Sequence, residues 1–482
     1  MDDHERQKEA ENQVTPARRR ADAEHNAESI LQAAVQLFQA EPDASIDEIA
    51  AAAKVARATV YRHFSSRAGL VAAARQRARE SSDENESDEL RPPGELAGGP
   101  TPLDVADVLN KVPPHLLGDQ IVSEAQRLAG VSSVAMYLVD IDGTLLLRLA
   151  GSEEFPEEVD APLAVGSEIP REGLPALRAH LDEELPGTIA APMFLRGRAV
   201  GVLLAVDAPE QPLLDLARQA AASLALANSY TDVFDAVRRR KETSAAAEIQ
   251  QNLLPPRIAR ISGGILAGNV LPGYEIGGDW FDYIENRDGA WIGVADSLGH
   301  GTAAAALGAV ALGAFRAKRK VNAKLDAAVQ AIHHTIREIP IEGALVNVVI
   351  GRWHGPTSTF RWITAGHQPP LLIHEDDELE ELTGTTHESL GLGGADRQFT
   401  IDRRRLQAGE RLLLISDGVL QRQAHDGHPF GMQGVRNAVS RAQSAAAAPT
   451  VRAIEDAITA ASNNPLEDDA TVVVFAPSSP AN

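Results

Sequence analysis

Residues 277–302 read GGDWFDYIENRDGAWIGVADSLGHGT, and the rest of the chain is arranged around this stretch. It places Asp279 and Asp282 just before the apolar run Trp291–Ala295, and Asp296 at the end of that run. A short apolar run bounded by Gly and Asp predicts a strand that ends in a turn. We therefore expect these carboxylates to lie at one edge of a β-sheet.

Two later acidic motifs have a similar position relative to a strand. Asp417 follows the apolar run Leu412–Ile415, and the pair Asp468 and Asp469 precedes the run Thr471–Phe475. Hard cations such as Mg²⁺ and Mn²⁺ prefer oxygen ligands. The pattern predicts a hydrolytic metal site at these strand ends, and the alternative is ordinary turn capping by aspartate.

The composition narrows the possible classes of protein. A chain of 482 residues is expected to form about three domains, and its lack of cysteine excludes disulfides, thiolate metal sites and thiol nucleophiles. The net charge of −23 argues against a general nucleic-acid coat and leaves room for a local basic surface. The polar N-terminus lacks the apolar region of a signal peptide, so we expect a cytoplasmic protein without a membrane segment.

The first 80 residues predict a disordered segment (1–20) followed by a small helical head (21–80). Ser45 and Glu48 form a capping-box pattern before a second helix, and a third helix is predicted over Arg57–Phe64. Three short helices with a tight turn near Lys54–Ala56 are typical of a helix-turn-helix.

The sequence ATVYRHF at Ala58–Phe64, followed by SSRAGL, resembles the DNA-binding head of TetR-type repressors. No acidic residue lies between Lys54 and Arg79, as suits a surface that faces phosphates. Lys54 stands where the family usually has a glycine in the turn, and the alternative is a helical dimerisation or docking head that does not bind DNA. The resemblance implies DNA contacts from the recognition helix through Arg57, Thr59, Tyr61, Arg62 and His63.

An acidic and then Pro/Gly-rich linker over residues 81–102 leads to a predicted α+β domain over 103–230. The dipeptide Asp142-Gly143 predicts a hairpin, and the order of elements with the run RGRAVGVL at Arg196–Leu203 resembles a GAF domain. The resemblance implies a sensor or relay module, whose ligand the sequence does not identify. Its strands are predicted over Ser133–Asp140, Thr144–Ala150, Gly187–Phe194 and Ala199–Val206.

Apolar residues from Leu213 to Phe234 alternate at four- and three-residue steps, and Ala245, Ile249 and Leu253 resume an apolar face. This spacing predicts a heptad seam, so we expect a homodimer linked through residues 213–253. The alternative is a helix that packs on the sheet of its own domain. Residues 231–256 are interpreted as a linker helix that transmits a signal to the next domain.

Residues 257–478 alternate strand and helix signals in an order that predicts two sheets covered by helices, an α/β/β/α sandwich. Short motifs recur here in a fixed order, which resembles that of bacterial metal-dependent serine/threonine phosphatases of the stage II sporulation protein E (SpoIIE) type, within the protein phosphatase 2C (PPM) superfamily. The motifs are IQQNLLP at 249–255, GGDWFD at 277–282, ADSLGHG at 295–301, TAGHQP at 364–369, SDG at 416–418 and DDAT at 468–471.

This resemblance implies two or more Mn²⁺ or Mg²⁺ ions. It assigns Asp296 as the bridging carboxylate, the Ser297 carbonyl as a backbone ligand, Asp417 and Asp468 as further ligands, and Asp279 as a ligand directly or through water. A bridging water or hydroxide would then attack the phosphorus without a covalent intermediate. His300 could protonate the leaving oxygen, whereas His367, Asp282 and Asp469 are expected to support the site. The alternative for Asp469 is that it exchanges roles with Asp468.

The family also implies a substrate, which is a phosphoserine or phosphothreonine in a STAS-domain anti-anti-sigma factor or a similar regulatory protein. The principal hypothesis is a signal-regulated protein phosphatase controlled by the GAF-like domain and the linker helix. The alternative hypothesis is a TetR-type transcriptional regulator whose C-terminal domain is regulatory or binds phosphoproteins.

Overall fold

The computed structural model describes residues 29–35, 37, 46–56, 59–60, 64, 70, 74, 102–161, 164–261, 263–272 and 277–478. The chain divides into two compact units, Met1–Gly99 and Pro100–Asn482. The predicted disordered segment and most of the predicted linker lie outside the described residues. In the described ranges, no helix is both long and apolar enough to cross a bilayer.

The first unit contains a helical head. Residues 29–35 are helical, as are helix α1 (Ile46–Ala52) and residues 59–60, and their core includes Ile30, Ile49 and Val60. Lys54 has a φ of 55°, which is the left-handed conformation that glycine adopts most readily. The structure therefore places the tight turn at the lysine that replaces the usual glycine.

The central domain, residues 102–230, is a six-stranded antiparallel sheet with helices on both faces. The strand order is β3-β2-β1-β6-β4, and β5 also pairs with β6. Helices α2, α3 and α5 cover one face and α4 covers the other. The elements are α2 (Pro102–Lys111), α3 (Leu117–Ala129), β1 (Val134–Val139), β2 (Leu145–Gly151), β3 (Glu158–Asp160), β4 (Ile169–Pro170), α4 (Leu174–Glu184), β5 (Thr188–Leu195), β6 (Arg198–Val206) and α5 (Glu210–Ala227).

The predicted strands of this domain are confirmed to within about a residue. Its first hairpin is held by Asp140, whose carboxylate accepts a 2.7 Å hydrogen bond from the Thr144 amide. Gly143 has a φ of 70°, as the predicted Asp-Gly turn requires. The domain is thus the α+β domain that was predicted, and its GAF assignment remains a prediction.

The predicted heptad seam over residues 213–253, which the basic cluster Arg238–Lys241 interrupts, does not form one helical face in the structure. The structure divides it into α5, α6 (Val233–Arg238) and α7 (Ala245–Leu253). Leu213, Leu224 and Phe234, which belong to the predicted heptad seam, are buried inside the central domain. A helix packed on a sheet buries one stripe of residues, as a coiled coil does, so the spacing alone did not separate the two. The homodimer remains a prediction, without this seam to support it.

The C-terminal domain, residues 257–478, has four layers. Two six-stranded sheets, in the orders β15-β12-β11-β10-β9 (with β16 beside β12) and β14-β13-β17-β18-β8-β7, enclose one core. Helices α8 and α9 cover the outer face of the first sheet, and α11 and α12 cover that of the second. This arrangement is the predicted α/β/β/α sandwich.

The elements of this domain follow the predicted order. They are β7 (Ile258–Ile261), β8 (Gly264–Leu271), β9 (Trp280–Asn286), β10 (Gly289–Ser297), α8 (Gly301–Lys320), α9 (Leu325–Glu338), β11 (Val346–His354), β12 (Thr359–Ala365), β13 (Leu371–Ile373), β14 (Leu379–Glu381), β15 (Thr386–His387), β16 (Asp402–Arg405), β17 (Arg411–Ile415), α10 (Asp417–Gln421), α11 (Gly431–Val439), α12 (Ala447–Ala461) and β18 (Ala470–Pro477).

The central and C-terminal domains are joined by buried contacts. Val165 of the central domain lies in the core beneath α11 and α12. The Glu168 carboxylate accepts a 2.8 Å hydrogen bond from the Ile258 amide and lies 2.8 Å from Arg198 Nε. From α12, Arg452 donates to the Gly143 carbonyl at 3.2 Å. Because these groups are polar and mostly buried, the two domains are held in a specific orientation.

Candidate active site

Four predicted aspartates meet where the two sheets of the C-terminal domain end. Asp279 immediately precedes β9, and Asp296 is near the end of β10 in the first sheet. Asp417 begins α10 directly after β17, and Asp468 lies two residues before β18 in the second sheet. The site is therefore built from both sheets, and each carboxylate sits at the junction of a strand with a loop or helix.

Asp296 is oriented by a neighbouring strand. β10 and β11 are antiparallel, and Asp296 lies directly opposite Asn347 in their register. The Asn347 amide donates to Asp296 Oδ2 at 3.2 Å, and its carbonyl oxygen accepts from Ser389 Oγ at 2.7 Å. Asn347 was not predicted, because only the strand register brings it to the site.

Asp279 is held by the opposite sheet. Thr471 Oγ1 on β18 donates to Asp279 Oδ2 at 2.5 Å, and the Asp279 amide donates to Asp469 Oδ2 at 3.1 Å. Both Asp279 and Asp469 are buried. The predicted supporting role of Asp469 therefore agrees with this hydrogen bond, through which Asp469 fixes the loop that carries Asp279.

The SDG turn brings Asp417 close to the loop of Asp468. A Cβ added to Gly418 would lie 2.1 Å from the Asp469 carbonyl oxygen, so only glycine fits there. Ser416 Oγ donates to the same carbonyl at 3.1 Å. The SDG motif therefore supplies the Asp417 carboxylate and also the small residue, Gly418, that the close packing requires.

The side chain of Gln250 links the connecting segment (residues 231–256) to this site. It lies on α7 and donates from Nε2 to Asp469 Oδ2 at 2.6 Å and to the Asp279 carbonyl at 3.0 Å. The motif IQQNLLP was recognised, but no function was predicted for its glutamine. A polar residue at an otherwise buried helix position was the available signal.

The carboxylates raise one another's pKa values. Burial, followed by the charges of Asp469 and Asp296, raises the pKa of Asp279 well above its ordinary value. Burial and the charge of Asp417 raise the pKa of Asp296, and a hydrogen bond with Asp279 offsets part of that rise. Burial raises the pKa of Asp469 to about 7. Negative charges this close together repel one another unless a cation lies between them, and carboxylates with raised pKa values are common in active sites.

The chemistry of this donor set fits hard divalent cations. The four predicted side-chain ligands are carboxylates, and none of their hydrogen-bond partners in the described part of the chain is a lysine or an arginine. The fifth predicted ligand, the Ser297 carbonyl, is also an oxygen donor. Asp469 Oδ1 is buried without a hydrogen-bond partner. The carboxylates nevertheless form a loose cluster, because no three acidic or histidine side chains among the described residues already surround one point.

Four other residues were predicted to belong to the site or to support it. Ser297, the last residue of β10, is buried beside the site, whereas His300 is exposed at the start of α8. His367 is buried near Asp417, and burial lowers its pKa. Asp282 does not face the cluster: it pairs with Arg316 at 3.0 Å and also with Arg319, both on α8.

Of the predicted DNA-contacting residues, Thr59 alone is described, as part of a helical stretch. Arg57, Tyr61, Arg62 and His63 lie outside the described residues. Their roles therefore remain predictions from the sequence.

Two parts of the chain match known protein families. Residues 286–477 match the family model described as Stage II sporulation protein E, and residues 30–74 match the model for bacterial regulatory proteins of the tetR family. The chain is 19% identical over 236 residues to phosphoserine phosphatase RsbU from Bacillus subtilis (strain 168). The matched residues make up 49% of this chain and 70% of that protein.

Similar solved structures include the SiaA-PP2C domain of Pseudomonas aeruginosa, with 20% identity and a TM-score of 0.41 over 48% of this chain and 94% of that chain. Another is the catalytic domain of the serine threonine protein phosphatase PstP in complex with 2 manganese ions. It has 20% identity and a TM-score of 0.31 over 44% of this chain and 100% of that chain.

The family match, with the acidic strand ends described above, defines a PP2C-like phosphatase domain. Residues 286–477 thus belong to a SpoIIE-type phosphatase domain of the PPM class of protein serine/threonine phosphatases, and residues 30–74 belong to a TetR-type domain.

Proposed function

We propose that this enzyme is a metal-dependent phosphatase that removes phosphate from a phosphoserine or phosphothreonine of a regulatory protein. The observation that carries the proposal is the cluster of carboxylates at the sheet ends, in which Asp279 is buried, Asp296 and Asp417 are half-buried and Asp468 is exposed. Among the described residues, no lysine or arginine bonds to these four side chains. Two or more Mn²⁺ or Mg²⁺ ions would relieve the repulsion within this cluster.

Asp279, Asp296, Asp417 and Asp468, with the Ser297 carbonyl, would hold the ions. When bound, such ions acidify water and neutralise charge on a phosphoryl group. The residues around them position the carboxylates: Asn347 orients Asp296, and Thr471 orients Asp279. His300 is exposed at the start of α8, three residues after Ser297, and it could donate a proton to the leaving oxygen.

The proposed substrate is a phosphorylated STAS-domain anti-anti-sigma factor or a similar phosphoprotein. Its support is the match to the SpoIIE family model and the similarity to a phosphoserine phosphatase, RsbU. We further propose that the central domain and the connecting segment control the activity, because Gln250 on α7 bonds directly to the loops of the site. With such partners, the proposed location of the enzyme is the cytoplasm.

Removal of metal is expected to reduce the phosphatase activity to background. The repelling carboxylates alone cannot stabilise a phosphoryl group that itself carries negative charge. We would measure phosphate release from a phosphoserine peptide by the full-length protein after EDTA treatment, and again after Mn²⁺ or Mg²⁺ is restored. A phosphotyrosine peptide serves as the control substrate. Full activity after exhaustive chelation would contradict the proposal.

The TetR-type domain supports a second function, which is binding to DNA through residues 21–80. In this candidate function the protein is a transcriptional regulator, and its phosphatase domain is regulatory or binds phosphoproteins. The two functions are compatible, since the DNA contacts and the carboxylate cluster lie in different units of the chain.

A gel-shift assay with DNA from upstream of the gene tests this second function. We expect binding that weakens as salt rises, and further weakening in Arg62→Ala, because Arg62 belongs to the predicted recognition helix. Arg403→Ala, on a strand of the C-terminal domain, is the matched control. Absence of binding even at low salt would leave the head as a docking domain.

A further inference from the structure

A cavity of about 520 Å³ lies where the central domain, the connecting segment and the C-terminal domain meet. It is lined by Arg198 from β6, Asn228 after α5, Arg238 and Arg239 at the end of α6, and Arg257 before β7. Its volume is in the range of pockets that bind small molecules. Three separate parts of the chain therefore form one cavity.

The wall of this cavity has an excess of positive charge. Four arginines line it, whereas its acidic lining residues are Glu168 and Asp235. Those two acids already have partners, since Glu168 lies 2.8 Å from Arg198 and Asp235 lies 3.3 Å from Arg238. Arg257 donates to neutral oxygens, including Gln251 Oε1 at 2.6 Å. Arg239 also has an acidic partner, Glu248, outside the wall, so Arg257 is the wall arginine without an ion pair among the described residues. Its charge favours an anion in the cavity.

Two of these arginines also have unused hydrogen-bond donors. The Nε atoms of Arg238 and Arg239 are buried and have no acceptor. Arg239 does reach Glu248, outside the cavity wall, at 2.6 Å, but through another nitrogen. Burial lowers the pKa of Arg238. A buried guanidinium N–H without an acceptor costs free energy, and an anion that draws either side chain toward the cavity would recover it.

We propose that this cavity binds a small organic anion whose carboxylate or phosphate group is held by Arg238 and Arg239. Guanidinium groups bind both kinds of anion through directed N–H donors. Asn228 and Asn252 lie in the wall as further hydrogen-bonding groups, and Leu224 provides an apolar surface for the rest of the ligand. This site goes beyond the phosphatase activity and does not depend on it.

The location of the cavity connects it with the carboxylate cluster. Gln251 lines the cavity, and the preceding residue, Gln250, donates to Asp469. A ligand held by Arg238 and Arg239 would bind the folded arrangement and not the unfolded chain. It would therefore stabilise α7 in the position from which it supports the active site.

The test uses the metal-free full-length protein, so that it does not depend on catalysis. Thermal unfolding is followed with increasing succinate or inorganic phosphate, and with sodium chloride at the same ionic strength. We expect a saturable rise in the unfolding midpoint with at least one of the two anions, and the one that acts identifies the carboxylate or phosphate class. Arg238→Gln and Arg239→Gln should each weaken the apparent affinity about tenfold.

Arg361→Gln is the matched control, because this exposed arginine lines a different cavity, and its response should equal that of the wild type. If Arg238→Gln does not fold, the more exposed Arg239→Gln decides the outcome. A response no greater than that to chloride for both anions would overturn the proposal. So would a response that neither cavity variant changes.

Discussion

Asp296→Asn is expected to lower kcat of the manganese-loaded phosphatase about a thousandfold, which corresponds to about 4 kcal/mol of transition-state stabilisation. Asp296 lies near the end of β10, and its pKa is raised by burial and by the charge of Asp417. Asparagine keeps the shape of the side chain but loses the negative charge that would bind a divalent ion. The fold should therefore survive while metal binding is lost.

The measurement is phosphate release from a phosphoserine peptide at saturating Mn²⁺, together with calorimetric titration of the metal. Asp288→Asn, in the turn that precedes the same strand, is the matched control, because Asp288 is exposed and pairs with Arg352 away from the cluster. Equal turnover in wild type and Asp296→Asn would remove Asp296 from the metal site. Asp417→Asn should reproduce the loss if both residues serve the same ions.

Asp282→Ala is expected to destabilise the C-terminal domain by about 3–5 kcal/mol. The Asp282 side chain is 2% exposed and pairs with Arg316 and Arg319, which are 29% and 9% exposed. Its removal leaves two arginines of α8 without their shared anion, and one of them is buried. The loss therefore includes the cost of an uncompensated buried charge.

Urea unfolding followed by tryptophan fluorescence measures this effect. All 4 tryptophans of the chain (Trp280, Trp291, Trp353 and Trp362) lie in the C-terminal domain, so the signal reports on that domain alone. Asp288→Ala is the control, since it removes an exposed carboxylate from the adjacent hairpin turn. A loss below about 1 kcal/mol, as expected for a surface pair, would show that the Asp282 ion pairs are not important for stability.

The carboxylate positions could be predicted because they depend on local pattern. Apolar runs mark the strands, and an aspartate that follows or precedes a run must lie at a strand end, as Asp296 and Asp417 do. Their partners could not be predicted in the same way. Gln250 and Asp469 are 219 residues apart, and only the packing of α7 against the sheet ends brings them together.

The helices before and within the connecting segment show that the spacing of apolar residues alone does not predict what a helix packs against. The apolar steps from Leu213 to Phe234 satisfy a heptad, yet the same spacing serves a helix packed on a sheet. What distinguishes the two is the break after Ala227 and again after Arg238, where the chain leaves the helical conformation. The basic run Arg238–Lys241 marks the second break and interrupts the predicted apolar spacing, whereas no glycine or proline marks the first break, after Ala227.

The position of Gln250 also determines where the catalytic unit can be separated from its neighbours. A gene fragment that begins at residue 257 would encode every carboxylate of the cluster but would omit the side chain that bonds to Asp469 and to the Asp279 carbonyl. The natural point of division is Ser244, whose hydroxyl caps α7 by accepting from the Ala247 amide at 3.1 Å. Upstream modules exchanged at that residue would leave the whole active site with the phosphatase.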